Sequence, residues 1–492
     1  MNKFISAIII AVIMLLSMGG VAIAQGPPGE WVSNIYCVNQ ENAEATISLN
    51  FYKEDESVAA TSFTDTITAH KSKYYYPSDL TGLSSFAGSV VISSSAAISC
   101  SVQTSSNAVG TQGDPFMLGA SGGFETSSAA PVMYVSQVLK NFSSGAFGYY
   151  ESYIAIQNTS TGPVRVTVEY TDRALGKIST ATKEYDIQGQ SNKIVYLNEN
   201  TNLPAGFLGS AKISSNDGTT PLAVQAVFYN DRSSYTKSQF HMYNGTPTGE
   251  NKLYAPFVMR NFYDFNSGIN IVNVGATATS FKIEFKIGRS SVNTYTYQHP
   301  NLLNPGKLSA LYLPDIDVLD PVDSLAMTER AGSAIIYATD LNGNINSSGM
   351  LISNINFRND GRDPNNRNFG GQAVTYNAVG DNQASQTLYV PNIQNRVGGA
   401  AFTSGINVAN LTGTNGTCTY LFVDDPTVVW EKTLPANGIY SVLVSNIPGL
   451  DAGYSSAAII TCNVDAIAII TMRANASNYW GDSQTAINAL KP

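Results

Sequence analysis

Four cysteines are the residues of this chain whose spacing most directly suggests a chemistry. Two lie in the first quarter of the chain, at Cys37 and Cys100, and two in the last quarter, at Cys418 and Cys462. The close pairs of cysteines that hold structural zinc are missing. Because each pair lies within one terminal part of the chain, we predict two disulfides, Cys37–Cys100 and Cys418–Cys462, which require an oxidising compartment. Four free thiols in a chain that never meets an oxidant are the alternative.

One acidic loop has the alternating oxygen ligands of a calcium site. It reads Asp340-x-Asn342-Gly343-Asn344. The bidentate glutamate that completes such loops is missing at the expected offset, and Asn-Gly is a strong hairpin signal. We therefore expect a turn here and predict no cofactor. A weak calcium site at Asp340, Asn342 and Asn344 is the alternative.

Catalytic patterns are weak throughout the chain. Gly119 to Gly123 matches the spacing of a nucleophile elbow, but it lies in a connector rather than between a strand and a helix. The three histidines, His70, His241 and His299, fall in different contexts and form no His-Glu-x-x-His motif. We therefore predict that the protein is not an enzyme. A distant pair of carboxylates for glycoside hydrolysis stays open as an alternative.

A short pattern, Ser-x-Ile-x-[Ile/Val/Cys]-x-Asn, occurs four times and indicates a repeated element. We expect its asparagines to bond the backbone of the following turn, and a ring of asparagines facing a ligand is the alternative. The shared asparagines are Asn39, Asn158, Asn273 and Asn410. An aromatic residue follows each of them by twelve positions, and we expect it to fill the core. These aromatics are Phe51, Tyr170, Phe285 and Phe422.

The stretches around these positions alternate apolar and polar residues, which predicts strands with one buried face. The predicted fold is all-β, with four tandem antiparallel β-sandwich modules in an elongated array about 140 Å long. The module boundaries are 25–125, 126–248, 249–380 and 381–492. Connectors between modules end similarly, at Tyr243-Asn244-Gly245, Tyr376-Asn377-Ala378 and Ile487-Asn488-Ala489. Because they contain aromatics, we expect them to dock on a neighbouring module.

The first 24 residues are typical of a secretory signal peptide. Lys3 precedes an apolar run from Phe4 to Met18, and Ala22-Ile23-Ala24 fits a cleavage site before Gln25. An uncleaved membrane anchor is the alternative, and we predict no membrane span after cleavage. Removing residues 1–24 changes the formal net charge from −9 to −10. That charge argues against a nucleic-acid partner, which requires basic patches.

By its Ser-x-Ile-x-x-x-Asn and Gly-Ser elements, such as Gly209-Ser210, the chain resembles tandem immunoglobulin-like modules of bacterial secreted and surface-layer proteins. The resemblance covers nearly the whole exported part and implies an extracellular structural or adhesive role. We expect a non-catalytic protein that self-assembles into a surface layer, sheath or filament. Its partners would be its own copies or cell-envelope components.

The alternative function is an adhesin or glycan-binding protein that uses exposed loops and aromatics. The candidate aromatic patches are Tyr74 to Tyr76 and Tyr149-Tyr150, with Trp430 and Trp480 as weaker candidates. Glycosylation of the chain itself is expected, where the host performs it, at sequons placed in turns or connectors. The favoured positions are Asn244, Asn346 and Asn415.

Overall fold

A computed structural model describes most of the chain. The described residues are 7–11, 27, 29–83, 86–108, 110–111, 114–230, 233–234, 238–288, 292–319, 330–359, 372–399, 401–474, 481–482 and 484–491. Of the expected signal peptide, the structure describes residues 7–11 alone. The expected cleavage site and Trp480 lie outside the described residues.

Antiparallel strands make up the described part of the chain. They fall into four groups, which we call repeats 1 to 4. Repeat 1 contains β1 (Ala7–Ala11), β2 (Trp31–Asn39), β3 (Ala45–Lys53), β4 (Thr61–Ile67), β5 (Ser72–Tyr75), β6 (Gly88–Ser94), β7 (Ile98–Ser106), β8 (Phe116–Gly122) and β9 (Phe124–Glu125). Repeat 2 contains β10 (Val132–Lys140), β11 (Phe142–Ser143), β12 (Tyr149–Asn158), β13 (Val164–Asp172), β14 (Gly176–Lys177), β15 (Lys183–Ile187), β16 (Asn192–Tyr196), β17 (Phe207–Ser215), β18 (Leu222–Asn230) and β19 (Phe240–Asn244).

Repeats 3 and 4 contain eight described strands each. Repeat 3 contains β20 (Lys252–Met259), β21 (Phe265–Asn273), β22 (Ser280–Ile287), β23 (Asn293–Gln298), β24 (Leu308–Tyr312), β25 (Ala331–Thr339), β26 (Leu351–Asn359) and β27 (Ala373–Asn377). Repeat 4 contains β28 (Ser385–Val397), β29 (Phe402–Asn410), β30 (Gly416–Phe422), β31 (Asp425–Leu434), β32 (Ile439–Leu443), β33 (Ser455–Arg473), β34 (Gly481–Asp482) and β35 (Gln484–Asn488).

Helical structure in the described residues consists of single 3₁₀ turns. They span Pro77–Asp79, Thr126–Ser128, Gly145–Phe147, Ser179–Ala181, Leu197–Glu199, Leu313–Asp315, Asp317–Leu319, Asp381–Gln383 and Val444–Asn446. None of the helices in the described part is long and apolar enough to cross a membrane.

Each repeat pairs its strands in the same way. In each repeat, we call the strand that follows the Gly-Ser strand the closing strand. The strand with the Ser-x-Ile pattern pairs with it, as in β2–β7, β12–β18 and β21–β26. The strand with the following aromatic pairs with the Gly-Ser strand, as in β3–β6, β13–β17 and β22–β25. In repeat 4 the 19-residue strand β33 fills both places and joins the two sheets. The expected all-β, β-sandwich architecture is therefore confirmed.

Alternating burial explains why these segments form strands with one core face. Along β13, Val164, Val166, Val168 and Tyr170 are buried, and the residues between them are exposed or half-buried. Period-two alternation is what a sheet with one buried face requires. Buried aliphatic and aromatic side chains from both sheets of a repeat then meet in its core.

Four strands, one from each repeat, meet at the centre of the molecule. Contacts join β8 to β19, β19 to β27, β27 to β35, and β35 back to β8. Asn488 Nδ2 donates to Asn377 O (2.9 Å), and Asn377 Nδ2 donates to Asn244 O (2.7 Å). Asn244 Nδ2 in turn donates to Gly122 O (2.7 Å). The connector ends that share an asparagine are therefore the central strands.

Repeat 4 also closes against repeat 1. Lys71 Nζ lies 3.3 Å from an oxygen of Asp424, and Asn392 Nδ2 donates to Gln103 Oε1 (3.1 Å). The short strand β34 pairs in parallel with β8. The expected elongated array is therefore wrong. The connectors do pack on their neighbours, as expected, but that packing bends the four repeats into a closed ring.

Candidate functional site

The two disulfides predicted from cysteine placement are confirmed. Cys37–Cys100 joins β2 to β7, and Cys418–Cys462 joins β30 to β33. Each links residues that lie directly opposite each other on paired strands, with Cα–Cα distances of 4.1 and 4.0 Å. Both are therefore structural bonds inside repeats 1 and 4.

The four repeated asparagines all bond turn backbone. Asn273 is typical: its Nδ2 donates to Thr277 O and Leu303 O, both at 2.8 Å, and its Oδ1 accepts from Gly275 N at 2.9 Å. The same Nδ2 bond to the carbonyl four residues later occurs at the other three positions. All four side chains are buried. These asparagines hold turns and do not present a ligand-facing ring.

The aromatics twelve positions later are fully buried. Phe51, Tyr170, Phe285 and Phe422 each have 0% of their surface exposed. Three of them meet a second ring edge-on in the same repeat: Phe51 with Phe86, Tyr170 with Phe207, and Phe422 with Tyr454. The structure therefore places these aromatics in the cores of their repeats.

The weak calcium candidates form a turn between β25 and β26. Asp340 Oδ1 accepts from Asn342 N (2.8 Å) and Asn344 N (2.9 Å), and Asp340 Oδ2 accepts from Asn344 Nδ2 (2.8 Å). The Asn344 side chain beside it lowers the pKa of the Asp340 carboxyl. Its oxygens are thus already used by the turn. Among the described residues, no group of three or more His, Cys, Asp or Glu is placed to hold a metal ion.

The three favoured glycosylation sequons lie in different surroundings. Asn244 Nδ2 takes part in the central chain of hydrogen bonds. Asn346 Nδ2 donates to Thr279 Oγ1 (3.0 Å). Asn415 is exposed, and its Oδ1 accepts from Ala436 N (2.9 Å).

The tyrosine patches are half interior, as strand alternation requires. Tyr75 and Tyr150 are 4% and 5% exposed, whereas Tyr74, Tyr76 and Tyr149 are exposed. The Tyr74 and Tyr76 rings lie 5.2 Å apart at the surface near the boundary of repeats 1 and 4.

A concave surface between repeats 3 and 4 is lined by several aromatic side chains. We call this surface the aromatic groove, and its volume is about 590 Å³. Repeat 3 contributes Phe257, Met259, Phe262, Tyr263, Phe265 and Phe357, and repeat 4 contributes mainly Thr403, Gly405, Asn407, Trp430, Lys432, Tyr440, Leu443, Thr471 and Arg473.

Neighbouring rings hold the groove aromatics in place. The Trp430 ring lies 5.1 Å from the Tyr420 ring and 5.5 Å from the Tyr440 ring, so that one of its edges is packed on the core of repeat 4. Across the groove, Tyr263 is 64% exposed and packs edge-on against Phe262 at 4.8 Å. Rigid, half-exposed rings of this kind bind ligands at a low cost in side-chain entropy.

Two cations give the groove a positive character. The Lys432 ammonium lies 4.9 Å from the centre of the Trp430 ring, within cation–π range. Arg473 is partly buried, and burial lowers the pKa of its guanidinium, which still keeps its charge at neutral pH. Among the described residues that line the groove, there is no aspartate or glutamate.

The boundary of repeats 2 and 3 forms a matching but smaller hollow of about 360 Å³. Arg358 holds the place that Arg473 holds in the aromatic groove, since each lies at the end of its closing strand. The Arg358 guanidinium lies 4.1 Å from the centre of the Phe147 ring, and its Nη1 donates to Ser144 Oγ (2.8 Å). Arg358 thus packs on Phe147 and Ser144 of this hollow. The aromatic groove is the larger of the two, and we take it as the candidate site.

Buried polar groups tie the central strands together next to these hollows. Asp482 Oδ2 accepts from Phe240 N and Oδ1 accepts from Ala373 N, both at 2.9 Å, so one carboxyl joins repeats 2, 3 and 4. Burial raises the pKa of Asp482 well above its usual range. His241 stacks on Phe228 at 4.1 Å, and burial lowers its pKa to about 3. These groups serve the ring and do not reach the aromatic groove.

Sequence reasoning named Trp430 but missed the rest of the groove. Its parts come from strands far apart in the chain, and nothing local marks Phe262 or Arg473 as neighbours of Trp430. The central strands did leave a signal, the shared asparagine of the connectors, but its meaning depends on a ring that the sequence did not reveal.

Comparisons with known proteins do not assign the chain to a family. No family model matches it, and no curated protein matches it. Among solved structures, a Thermotoga maritima protein titled 1070 is 13% identical with a TM-score of 0.20 and covers 24% of this chain and 93% of its own. The Anabaena sensory rhodopsin transducer is 15% identical with a TM-score of 0.16, covering 20% and 96% respectively. A biofilm-associated protein BSP domain is 9% identical with a TM-score of 0.14, covering 97% and 99%. At these TM-scores the likenesses carry no argument about function.

Proposed function

We propose that this protein is an exported, non-catalytic cell-surface protein that binds a glycan in the aromatic groove between repeats 3 and 4. The observation that carries the proposal is the groove itself, with rigid aromatics facing amide, hydroxyl and cationic groups. Its four repeats would each be an immunoglobulin-like β-sandwich module, with the boundaries that the sequence predicts.

The composition of the groove favours a sugar over a purely apolar ligand. Sugar rings have apolar faces that pack on aromatic side chains, and hydroxyls that bond to groups such as the Asn407 amide and the Thr471 hydroxyl. Lys432 and Arg473 favour a glycan that carries carboxylate or sulfate groups. Hydrolysis of a glycosidic bond needs two carboxyl groups around it, so the lining favours binding without cleavage.

The test compares two neighbouring substitutions on β31. Trp430→Ala removes a ring that lines the groove, whereas Val429→Ala removes a side chain that is 59% exposed on the opposite face of the strand. We expect Trp430→Ala to weaken binding to a charged-glycan array by about tenfold or more, as loss of a buried aromatic anchor does. Val429→Ala should bind like the parent chain, since its side chain lies off the groove. Equal binding by both variants, or none by the parent chain, would reject the groove as the site.

Self-assembly into a layer, sheath or filament is the second candidate function. It is favoured by the outer strands β4, β23 and β31, which end their sheets at the rim of the molecule. An unpaired strand edge can pair with another chain. Negative-stain electron microscopy of the exported chain separates the candidates: ordered sheets support assembly, and dispersed particles of ring size leave the glycan screen to decide.

A further inference from the structure

The N-terminal strand β1 pairs with the Gly-Ser strand of repeat 1, as the first strand of every other repeat does in its own repeat. In each repeat an isoleucine of the Gly-Ser strand pairs with an apolar residue of the repeat's first strand. The four pairs are Ile92 with Ile9, Ile213 with Met133, Ile336 with Leu253, and Ile460 with Leu388. The first strands β1, β10, β20 and β28 therefore share one position and one register.

A second set of backbone pairs supports this equivalence. The next residue of each first strand pairs with a residue just beyond the central strand of the same repeat. These pairs are Ile10 with Phe124, Tyr134 with Thr246, Tyr254 with Val379, and Tyr389 with Leu490. The segment at Ala7–Ala11 is thus the first strand of repeat 1 in every respect that backbone pairing can show.

The first strand matters to both the core and the ring. Met133 and Val135 of β10 are fully buried in the core. In β20, Ala255 is fully buried and Leu253 has 3% of its surface exposed. Each of these strands also packs on the following repeat: β10 contacts β21 and β26, and β20 contacts β29 and β33. A repeat without its first strand lacks part of its core and part of its contact with a neighbour.

Export would remove that strand from repeat 1. Cleavage before Gln25 takes β1 away with the leader. The residues that would then begin the chain, Gln-Gly-Pro-Pro-Gly-Glu at 25–30, are poor strand formers because proline lacks a backbone N–H and glycine weakens strands. Among the described strands, β6 would then pair with β3 alone, and its other side would be an open edge.

The open edge would present defined hydrogen-bond donors. Ser95, the residue after β6, donates its N–H to Thr46 O of β3. Successive residues of a strand point their N–H groups to opposite sides. The N–H groups of Ile92 and Ser94 therefore face the place of β1. In repeat 2 the counterpart of Ser94 is Ser215, and its N–H donates to Pro131 O at 2.8 Å.

We propose that the exported chain, without its leader, accepts a β-strand from a partner protein alongside β6. The partner strand would run antiparallel to β6 and carry apolar side chains at alternate positions. The chain's own first strands define this chemistry, with the sequences Met133-Tyr134-Val135, Leu253-Tyr254-Ala255 and Leu388-Tyr389-Val390. Such an addition supplies main-chain hydrogen bonds for affinity and side-chain burial for specificity. It goes beyond glycan binding and uses a different face of the molecule.

The test uses a labelled peptide with the sequence of residues 131–140 and the chain purified after export, its N-terminus established by intact mass. We expect saturable binding by fluorescence anisotropy. A peptide with Asp in place of Met133 and Val135 should bind at least tenfold more weakly, because charges cannot enter the core. Ser94→Pro removes one N–H that faces the partner and should weaken binding by about tenfold, whereas Ser94→Ala keeps that N–H and should not.

Several outcomes would overturn the proposal. An exported chain that retains residues 7–11 would mean that its own strand fills the place. Absence of peptide binding, or equal binding by Ser94→Pro and the parent chain, would reject β6 as the acceptor. Concentration-dependent dimers that Ser94→Pro abolishes would show edge-to-edge pairing of two copies instead. Denaturant unfolding of both Ser94 variants checks that the fold is kept.

Discussion

At the residue scale, burial makes His241 a pH-sensitive point of the ring. Its pKa falls to about 3 in the folded chain from an ordinary value of 6.5, because burial disfavours the charged ring and Arg358 repels it. Between these values the unfolded chain binds a proton that the folded chain does not. The contribution of His241 to stability is therefore complete above pH 6.5 and is lost as the pH falls towards 3.

We predict that His241→Gln reduces this acid sensitivity. The parent chain should lose up to about 1.4 kcal/mol of unfolding free energy per pH unit through this group, and the variant should not. Denaturant unfolding at pH 7 and pH 4 gives the change in unfolding free energy with pH for each chain. The carboxyl groups contribute equally to both chains, so their titration cancels when the two changes are compared. The same pH slope in both chains would contradict the buried, neutral state of His241.

Asn273 illustrates the turn asparagines at the same scale. Asn273→Ala should destabilise the chain by about 2–4 kcal/mol, because two carbonyls and one N–H at a buried turn lose their partner. Asn273→Asp keeps the acceptor for Gly275 N but loses both donations, so it separates the two roles. Unfolding free energies within a few tenths of a kcal/mol of the parent chain would show that the turn does not depend on this side chain.

At the element scale, the disulfides pin paired strands in repeats 1 and 4. They close segments with sequence separations of 63 and 44 residues. The chain-entropy model gives about 4 kcal/mol of stabilisation for loops of this size. Replacing Cys418 and Cys462 together by Ala should therefore cost about that much in unfolding free energy. Adding a reductant should destabilise the parent chain but leave a variant without all four cysteines unchanged, which is the control.

At the scale of the whole molecule, ring closure determines the shape. A compact body formed by residues 25–492 should have a radius of gyration of about 23 Å, whereas a rod 140 Å long would have about 40 Å. Small-angle X-ray scattering of a chain that begins at Gln25 should give a value near the lower figure. A value near 40 Å would mean that the contacts of Lys71 and Asn392 across the closure do not form in solution.

The sequence by itself determined the features that depend on local pattern. Alternating residues predicted the strands, the four-fold Ser-x-Ile pattern predicted equivalent elements, and the placement of four cysteines predicted both disulfides. These follow because strand alternation and turn chemistry leave a pattern within a few residues of the position concerned, and because cysteines are few enough for their placement to suggest their pairing. The candidate aromatic Trp430 was visible in the same way.

The tertiary structure alone decided how the repeats meet. A tandem repeat is compatible with a rod or a ring, since the choice depends on small angles between neighbours that accumulate over four units. The central asparagines, the buried Asp482 and the closure at Lys71 select the ring. The aromatic groove and the place of β1 follow from that choice, because both are made by segments that the chain brings together from far apart.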